Sequence, residues 1–356
     1  MNRRVLLACG SLVAVIAWLT GCASTRVAID ALPEAPIAFM HWTDKAAQKR
    51  SEVFAKAGEV PPLPEDKDDP EGRRELEIRA YLRAEESLQL ARQLTKQPGR
   101  LMLYWPRTGK VERLEAAPPD ARPLAWSKDH RRLLFASAHR GGREQLYEYH
   151  LDRRDLRTLT VGPDEHPRGD YADDDRLAIL GLRHTAPSGA AESTVRLHEP
   201  GDVVGRVIAH DVPPGTLRLA PAGDRIVFEQ VVARLRSDGP TQYDSFVAVR
   251  PVRPGAEAQQ LLRGREPALT PDGEWIVFAS PSTAGYRLRR MRLDGTARVA
   301  IHPGTDEERM PTVSPDGEFI AFVQVEDGKR HLAVRRFDGK AERVLLKEGW
   351  SEFPVW

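Results

Sequence analysis

The sequence predicts an all-β fold: a six-bladed β-propeller closed by a blade shared between the N- and C-terminal ends, with a helical insertion near the N-terminus. Three observations carry that prediction. One motif recurs five times at a period of 44–50 residues. Each copy holds the turn and strand chemistry of a blade. The two ends of the chain supply complementary fragments of a sixth.

The repeats come first. "WSKDHRRLLF" (126–135), "DYADDDRLAI" (170–179), "LAPAGDRIVF" (219–228), "LTPDGEWIVF" (269–278) and "VSPDGEFIAF" (313–322) align, and their final residues lie 44, 49, 50 and 44 positions apart. A period of about 40–50 residues is that of a four-stranded propeller blade. In "SPDG", proline suits the second position of a type I turn, aspartate bonds the turn backbone, and glycine accepts a positive φ. Asp129, Asp272, Gly273, Asp316 and Gly317 are therefore the candidate turn-forming residues. The runs that follow, "EWIVF" and "EFIAF", are β-branched and aromatic, as buried strands are. A polar turn, a strand such as "KRHLAVRRF", a tight turn such as "FDGK" and a last strand such as "AERVLL" come next. With the residues ahead of "SPDG" as its first strand, each unit has four.

The sixth blade is assembled from both ends. In each unit the first strand ends nine residues before the final apolar residue of the motif. Val313 follows Phe278 by 35 positions, and Trp356 follows Phe322 by 34, so "FPVW" (353–356) falls where another first strand is due. "APIAFMHW" (35–42) reads as its second strand, and "GRLMLYWPRTGKVERLEA" (99–116) as its third and fourth. Phe39 and Trp356 are thus the candidate ring-closing residues, and closure removes exposed strand edges. "RVAID" (26–30) competes for the same place, since Asp30 lies nine residues before Phe39, but it lacks the turn chemistry. Residues 43–98 form the insertion. "TDKAAQKRSEVFAKAG" opens on a capping Thr43 and stops at Gly58, and Asp69–Pro70 opens a longer helix. Such a hairpin either packs on the propeller rim or docks a partner.

These motifs resemble the repeats of the TolB-type β-propeller family, whose unit runs P-x-W-S-P-D-G-x-x-I-A-F and then I-Y-x-x-D-x-x-G-x-x-x-x-L-T. The likeness covers about residues 101–356 and is strongest at Ser314–Phe322 and Thr270–Phe278. It implies a propeller domain, over residues 35–356, in the periplasm of a Gram-negative envelope. Two features depart from the family's namesake, which has an α/β domain ahead of its propeller and no acyl anchor.

Here the chain begins "MNRRVLLACGSLVAVIAWLTGCAST". Arg3 and Arg4 precede an apolar run from Val5 to Trp18, too short for a comfortable membrane span, with small residues at a cleavage position. "LTGC" resembles the bacterial lipobox, which implies a signal peptide over residues 1–21 and acylation of Cys22. A plain secretory signal or an uncleaved anchor is the alternative. Among lipoproteins, Ala23 after the cysteine implies sorting to the outer membrane, with the protein on its periplasmic face. Residues 22–34 then form a lipidated tether of at most about 45 Å. Stable anchoring needs more than one acyl chain, and such lipidation supplies it. The sequence has two cysteines, of which Cys9 lies in the leader, so no disulfide framework is expected.

Chemistry is harder to find. A formal charge of +1 gives no footprint for nucleic acid. There is no G-x-S-x-G, H-E-x-x-H, P-loop or G-x-G-x-x-G. The ten histidines are scattered, and the acidic run 163–175 lacks the D-x-D-x-D-G pattern of a calcium loop. The expected function is a non-catalytic scaffold, without metal or cofactor, that binds an envelope protein or a peptidoglycan-associated complex and meets the membrane through its acyl anchor. The alternative is a metal-dependent lyase or hydrolase acting on a sugar or lactone in the propeller channel. Three or more histidines or carboxylates converging on the channel would mark the enzyme; an apolar or arginine-rich mouth with a rigid rim would mark the binder.

Overall fold

The structure, a computed structural model, describes residues 25–46, 98–184, 191–234, 242–283, 285–301 and 306–356. Cys22 and its lipobox lie outside the described residues, as does most of the expected insertion, of which 44–46 are helical.

Six four-stranded antiparallel sheets make the ring. In chain order, the elements ahead of the first complete blade are β1 (Thr25–Arg26), β2 (Ile37–Trp42), β3 (Arg100–Trp105) and β4 (Lys110–Arg113). Blade 1 is β5 (Arg122–Trp126), β6 (Arg132–Ser137), β7 (Gln145–His150) and β8 (Asp155–Thr158). Blade 2 is β9 (Glu165–Tyr171), β10 (Leu177–His184), β11 (Ala191–His198) and β12 (Arg206–His210). Blade 3 is β13 (Leu217–Leu219), β14 (Arg225–Arg234), β15 (Gln242–Pro251) and β16 (Gln259–Arg263). Blade 4 is β17 (Arg265–Leu269), β18 (Trp275–Ser282), β19 (Gly285–Arg292) and β20 (Val299–Ala300). Blade 5 is β21 (Glu307–Val313), β22 (Phe319–Glu326), β23 (Lys329–Arg336) and β24 (Ala341–Leu346), and β25 (Trp350–Val355) follows.

Blade 6 takes strands from both ends, in the order β25-β2-β3-β4. Val355 faces Ala38 and Trp350 faces Trp42 across this join. The competing segment goes elsewhere. Thr25 and Arg26 pair in parallel with Ala341 and Glu342, adding a fifth strand to the outer edge of blade 5. Val27 and Leu32 are buried beside it. Within the stretch expected to be a lipidated tether (22–34), the chain is therefore packed from Thr25 onward, because its two apolar side chains find a seam to fill.

The turns explain the repeat. Asp316 Oδ1 accepts hydrogen bonds from Ser314 Oγ at 2.5 Å and Glu318 N at 3.0 Å, while Ser314 Oγ accepts Phe319 N–H at 2.9 Å. Blade 4 repeats this with Asp272, Thr270, Glu274 and Trp275, and blade 1 with Asp129, Ser127, Arg131 and Arg132. Gly273 and Gly317 have φ of 70° and 75°, values a β-carbon disfavours, and His130 holds the equivalent position in blade 1 at 53°. In blade 2, Asp173, Asp174 and Asp175 occupy that turn and are paired with Lys128, Arg176 and Arg132 respectively.

The core is divided among the seams. Six hydrophobic clusters each join two neighbouring blades, and the one between blades 5 and 6 contains Phe39, Tyr104, Phe319, Leu332 and Trp356. Strand direction then distinguishes two faces. The first-to-second-strand turns (127–131, 314–317) and third-to-fourth turns (337–340) lie on one, here the turn face. First strands start from the opposite face, and second-to-third connections lie there too, including the ends of segment 43–99 at Trp42 and Arg100.

Candidate functional site: an arginine-lined channel mouth

The starts of the first strands surround a hollow of about 360 Å³ on the face opposite the turns. Its wall carries Arg122, Arg168, Arg218 and Arg265, with Glu229 and Glu266 among them and Met310, Phe353 and several prolines between. Among the described residues, no histidine lines it. Among the described residues, no group of three or more histidines, cysteines or carboxylates is placed to hold a metal ion. The far end of the channel, on the turn face, is ringed by Trp126, Lys128, His130, Thr270, Pro315 and Trp356. A larger hollow of about 730 Å³ involves blades 1 and 2. Its arginines tie down its own walls: Arg196 donates to the carbonyls of Val204 and Gly205, and Arg183 pairs with Asp164 at 3.1 Å.

The mouth is held open by an unusual backbone. Glu266, Met310 and Phe353 have φ of 56°, 52° and 54°, left-handed values that are uncommon for bulky residues. Each precedes a proline, at Pro267, Pro311 and Pro354, and each lies at a bulge in its strand pairing. A bulge turns a strand's N–H away from its ladder. Here a neighbouring blade accepts it: Met310 N–H donates to Glu266 Oε2 at 2.7 Å, and Phe353 N–H contacts Met310 Sδ at 3.4 Å. At these two joins a side chain of one blade thus satisfies the next blade's backbone. Deeper in the channel, Asp170 Oδ2 accepts Leu219 N–H at 2.8 Å and Thr312 Oγ1 accepts Trp356 N–H at 3.2 Å. Such strained, over-determined positions cluster at functional sites.

The arginines differ in how they are satisfied. Arg122 pairs with Glu144 at 2.6 Å, Arg265 with Glu229 at 3.0 Å and Arg309 with Glu266 at 2.6 Å, while Arg218 lies 4.0 Å from Asp170. Arg168 has no carboxylate partner among the described residues. Its Nε donates to Gly215 O at 2.7 Å and its Nη1 to Pro167 O at 2.8 Å. Burial, and then the adjacent charge of Arg122, bring its pKa down to about 9. Burial pushes Asp170 up to about 6, against the pull of Arg218.

The candidate residues named from the sequence separate into two groups. Asp129, Asp272, Gly273, Asp316 and Gly317 sit in turns on the face opposite the mouth. Phe39 and Trp356 are buried at the seam between blades 5 and 6. None of them lines the mouth. Arg122 and Arg265 stand four residues before the end of the first-strand motif, whereas Arg168 and Arg218 stand two and one before it, so the mouth arginines share no single repeat position and went unnoticed. A usable signal did exist: proline two residues before the end of the first-strand motif at Pro267, Pro311 and Pro354.

No known protein-family profile matches the chain, and no curated protein sequence is similar to it. Solved structures are similar. TolB from Acinetobacter baumannii superposes with a TM-score of 0.57 at 12% identity, over 90% of this chain and 66% of that one. A putative TolB from Agrobacterium tumefaciens gives 0.52 at 20% identity, over 70% of this chain and 87% of the other. The fold is a TolB-like β-propeller. Hydrazine synthase from Kuenenia stuttgartiensis also matches, with a TM-score of 0.56 at 14% identity over 90% of this chain, but this chain spans only 46% of that one. At these identities the likeness is one of fold. The TolB-like ring supplies a frame, and the residues at its mouth supply whatever is particular to this chain.

Proposed function

We propose that this TolB-like propeller is a non-catalytic scaffold of the bacterial envelope, anchored through acylated Cys22 to the periplasmic side of the outer membrane, and that it receives an envelope protein or a peptidoglycan-associated complex at its arginine-lined mouth. One observation carries the reading. The mouth is arginine-rich, is stiffened by prolines and bulges, and has no histidine in its wall among the described residues, which suits recognition rather than proton transfer or metal-assisted chemistry.

Strand direction supports the anchoring. Thr25 runs parallel to Ala341, so the chain ahead of Thr25 departs beside the 337–340 turn, on the turn face. Thr25 is three residue steps from Cys22, a reach of at most about 11 Å. An acyl anchor at Cys22 therefore holds the turn face near the lipid and directs the mouth, with both ends of segment 43–99, away from it.

Photo-crosslinking in intact envelopes tests this arrangement. A photoreactive residue is placed at Val231, which lines the mouth, or at the exposed Lys340 on the turn face. The reading requires protein adducts from position 231 and lipid adducts from position 340, the latter abolished by Cys22→Ser. Lipid adducts from both positions, or only from the mouth, would refute it.

A further inference from the structure

A guanidinium at a pocket wall that forms no ion pair keeps its charge and its donors available to a ligand. Arg168, half-buried, forms no salt bridge among the described residues. Its two protein acceptors are backbone carbonyls, Gly215 O and Pro167 O, which fix the head group without neutralising it. Nη2 has no protein acceptor among the described residues, and Arg168 lines the mouth. Two cations, Arg122 and Arg218, and two carboxylates, Glu144 and Glu229, act on it, with the Arg122 charge the strongest of the four. Arg122 is committed to Glu144 and also donates to Pro167 O at 3.0 Å. Arg218 donates to Leu124 O at 2.6 Å and has Asp170 only at 4.0 Å. Three guanidinium groups from blades 1, 2 and 3 thus gather on one side of the hollow. Beside them stands Phe353, whose ring lies 5.8 Å from the Arg122 guanidinium carbon.

We infer that this side of the mouth is a carboxylate-binding site in which Arg168 grips the anion and Phe353 receives an apolar group next to it. The inference deepens the scaffold reading by naming the chemistry a partner must present. Planar guanidinium and carboxylate match in geometry, and a charge-assisted hydrogen bond in a partly dehydrated mouth is stronger than a neutral one. The hollow of about 360 Å³ is at the lower end of preformed ligand sites, room for the end of a chain rather than a whole element. The carboxylates that line the mouth do not compete, since Arg265 and Arg309 already hold Glu229 and Glu266. A purely structural role for Arg168, tying blade 2 to blade 3 through Gly215, predicts no preference among ligands.

The test uses the full chain and a fluorescein-labelled peptide, Gly-Gly-Leu-Phe, with either a free C-terminal carboxylate or an amide, followed by anisotropy. The free acid should bind at least about tenfold more tightly than the amide, as loss of a charge-assisted bond implies. Arg168→Gln should remove that difference, and Arg168→Lys should restore part of it. Benzoate is added as competitor: displacement at low concentration assigns the site to small acids, and its absence to a chain end, both being carboxylate recognition. Equal binding of acid and amide to the wild type, or no binding of peptide and benzoate alike, overturns the inference without recourse to any variant. A partner crosslinked at position 231 equally in wild type and Arg168→Gln would leave the scaffold reading standing and remove this one.

Discussion

Replacing Trp356 by alanine tests whether the ring depends on its shared blade. The side chain is 7% exposed and packs among Leu32, Ile37, Phe39 and Phe319. Its indole Nε1 donates to Ala35 O at 2.9 Å, and its backbone N–H donates to Thr312 Oγ1 at 3.2 Å. It therefore ties blade 6 both to blade 5 and to the N-terminal segment. Truncating a buried tryptophan costs about 3–5 kcal/mol. Leaving Ala35 O without its donor adds about 1 kcal/mol or more. Against a total stability of about 5–15 kcal/mol, this is a large fraction. For a chain of this size the same loss moves Tm by only about 6 °C, because the unfolding entropy is large. Urea denaturation is the better assay, and at about 3 kcal/mol/M the midpoint should fall by roughly 1 M or more. Trp356→Phe keeps most of the volume but loses the indole bond, and should cost about 1–2 kcal/mol. Trp105→Ala is the control, because Trp105 is half-buried at the end of β3 and its indole Nε1 donates to Glu112 of the same blade at 2.9 Å. A midpoint for Trp356→Ala no lower than that for Trp105→Ala would refute closure through β25.

Two further perturbations probe the turns and the channel. Asp316→Ala removes the acceptor for Ser314 Oγ and Glu318 N; it should cost about 1–3 kcal/mol, whereas Asp316→Asn, which keeps an acceptor, should cost less. Equal thermal midpoints for the two variants would contradict the hydrogen-bond account of the turn. Asp170 is raised to about 6 from an ordinary value of 3.8, so the folded state holds its proton more tightly than the unfolded chain does. Its contribution is fully present below about pH 4 and is lost as pH rises through about 6, a change of at most about 3 kcal/mol. Denaturation midpoints of wild type and Asp170→Asn, compared from pH 4 to 7, should diverge in the variant's favour as pH rises, and parallel profiles would show that burial does not govern this carboxyl group.

The sequence by itself determined the blades. Their chemistry is local: Asp316, Ser314 and Phe319 lie within six residues, and the cage they form needs no distant partner. Repetition of that cage made the period readable, and the matching intervals from Phe278 to Val313 and from Phe322 to Trp356 made the shared blade readable as well. Tertiary structure decided the rest. Nothing in "RVAID" states that Thr25 and Arg26 will lie parallel to β24, since a two-residue strand has no pattern of its own and takes its place from the edge it meets. The mouth was equally hidden. Arg122, Arg168 and Arg218 are separated by dozens of residues and meet only because three first strands start from the same rim. Whether an arginine is paired depends on which carboxylate ring closure brings to it: Glu144 reaches Arg122 from the same blade, and Glu229 reaches Arg265 from the blade before. Arg168 is left with backbone carbonyls because the carboxylates that act on it, Glu144 and Glu229, are paired with Arg122 and Arg265. Local hydrogen bonding is written in neighbouring residues, whereas the balance of charge in a closed ring is a property of the closure.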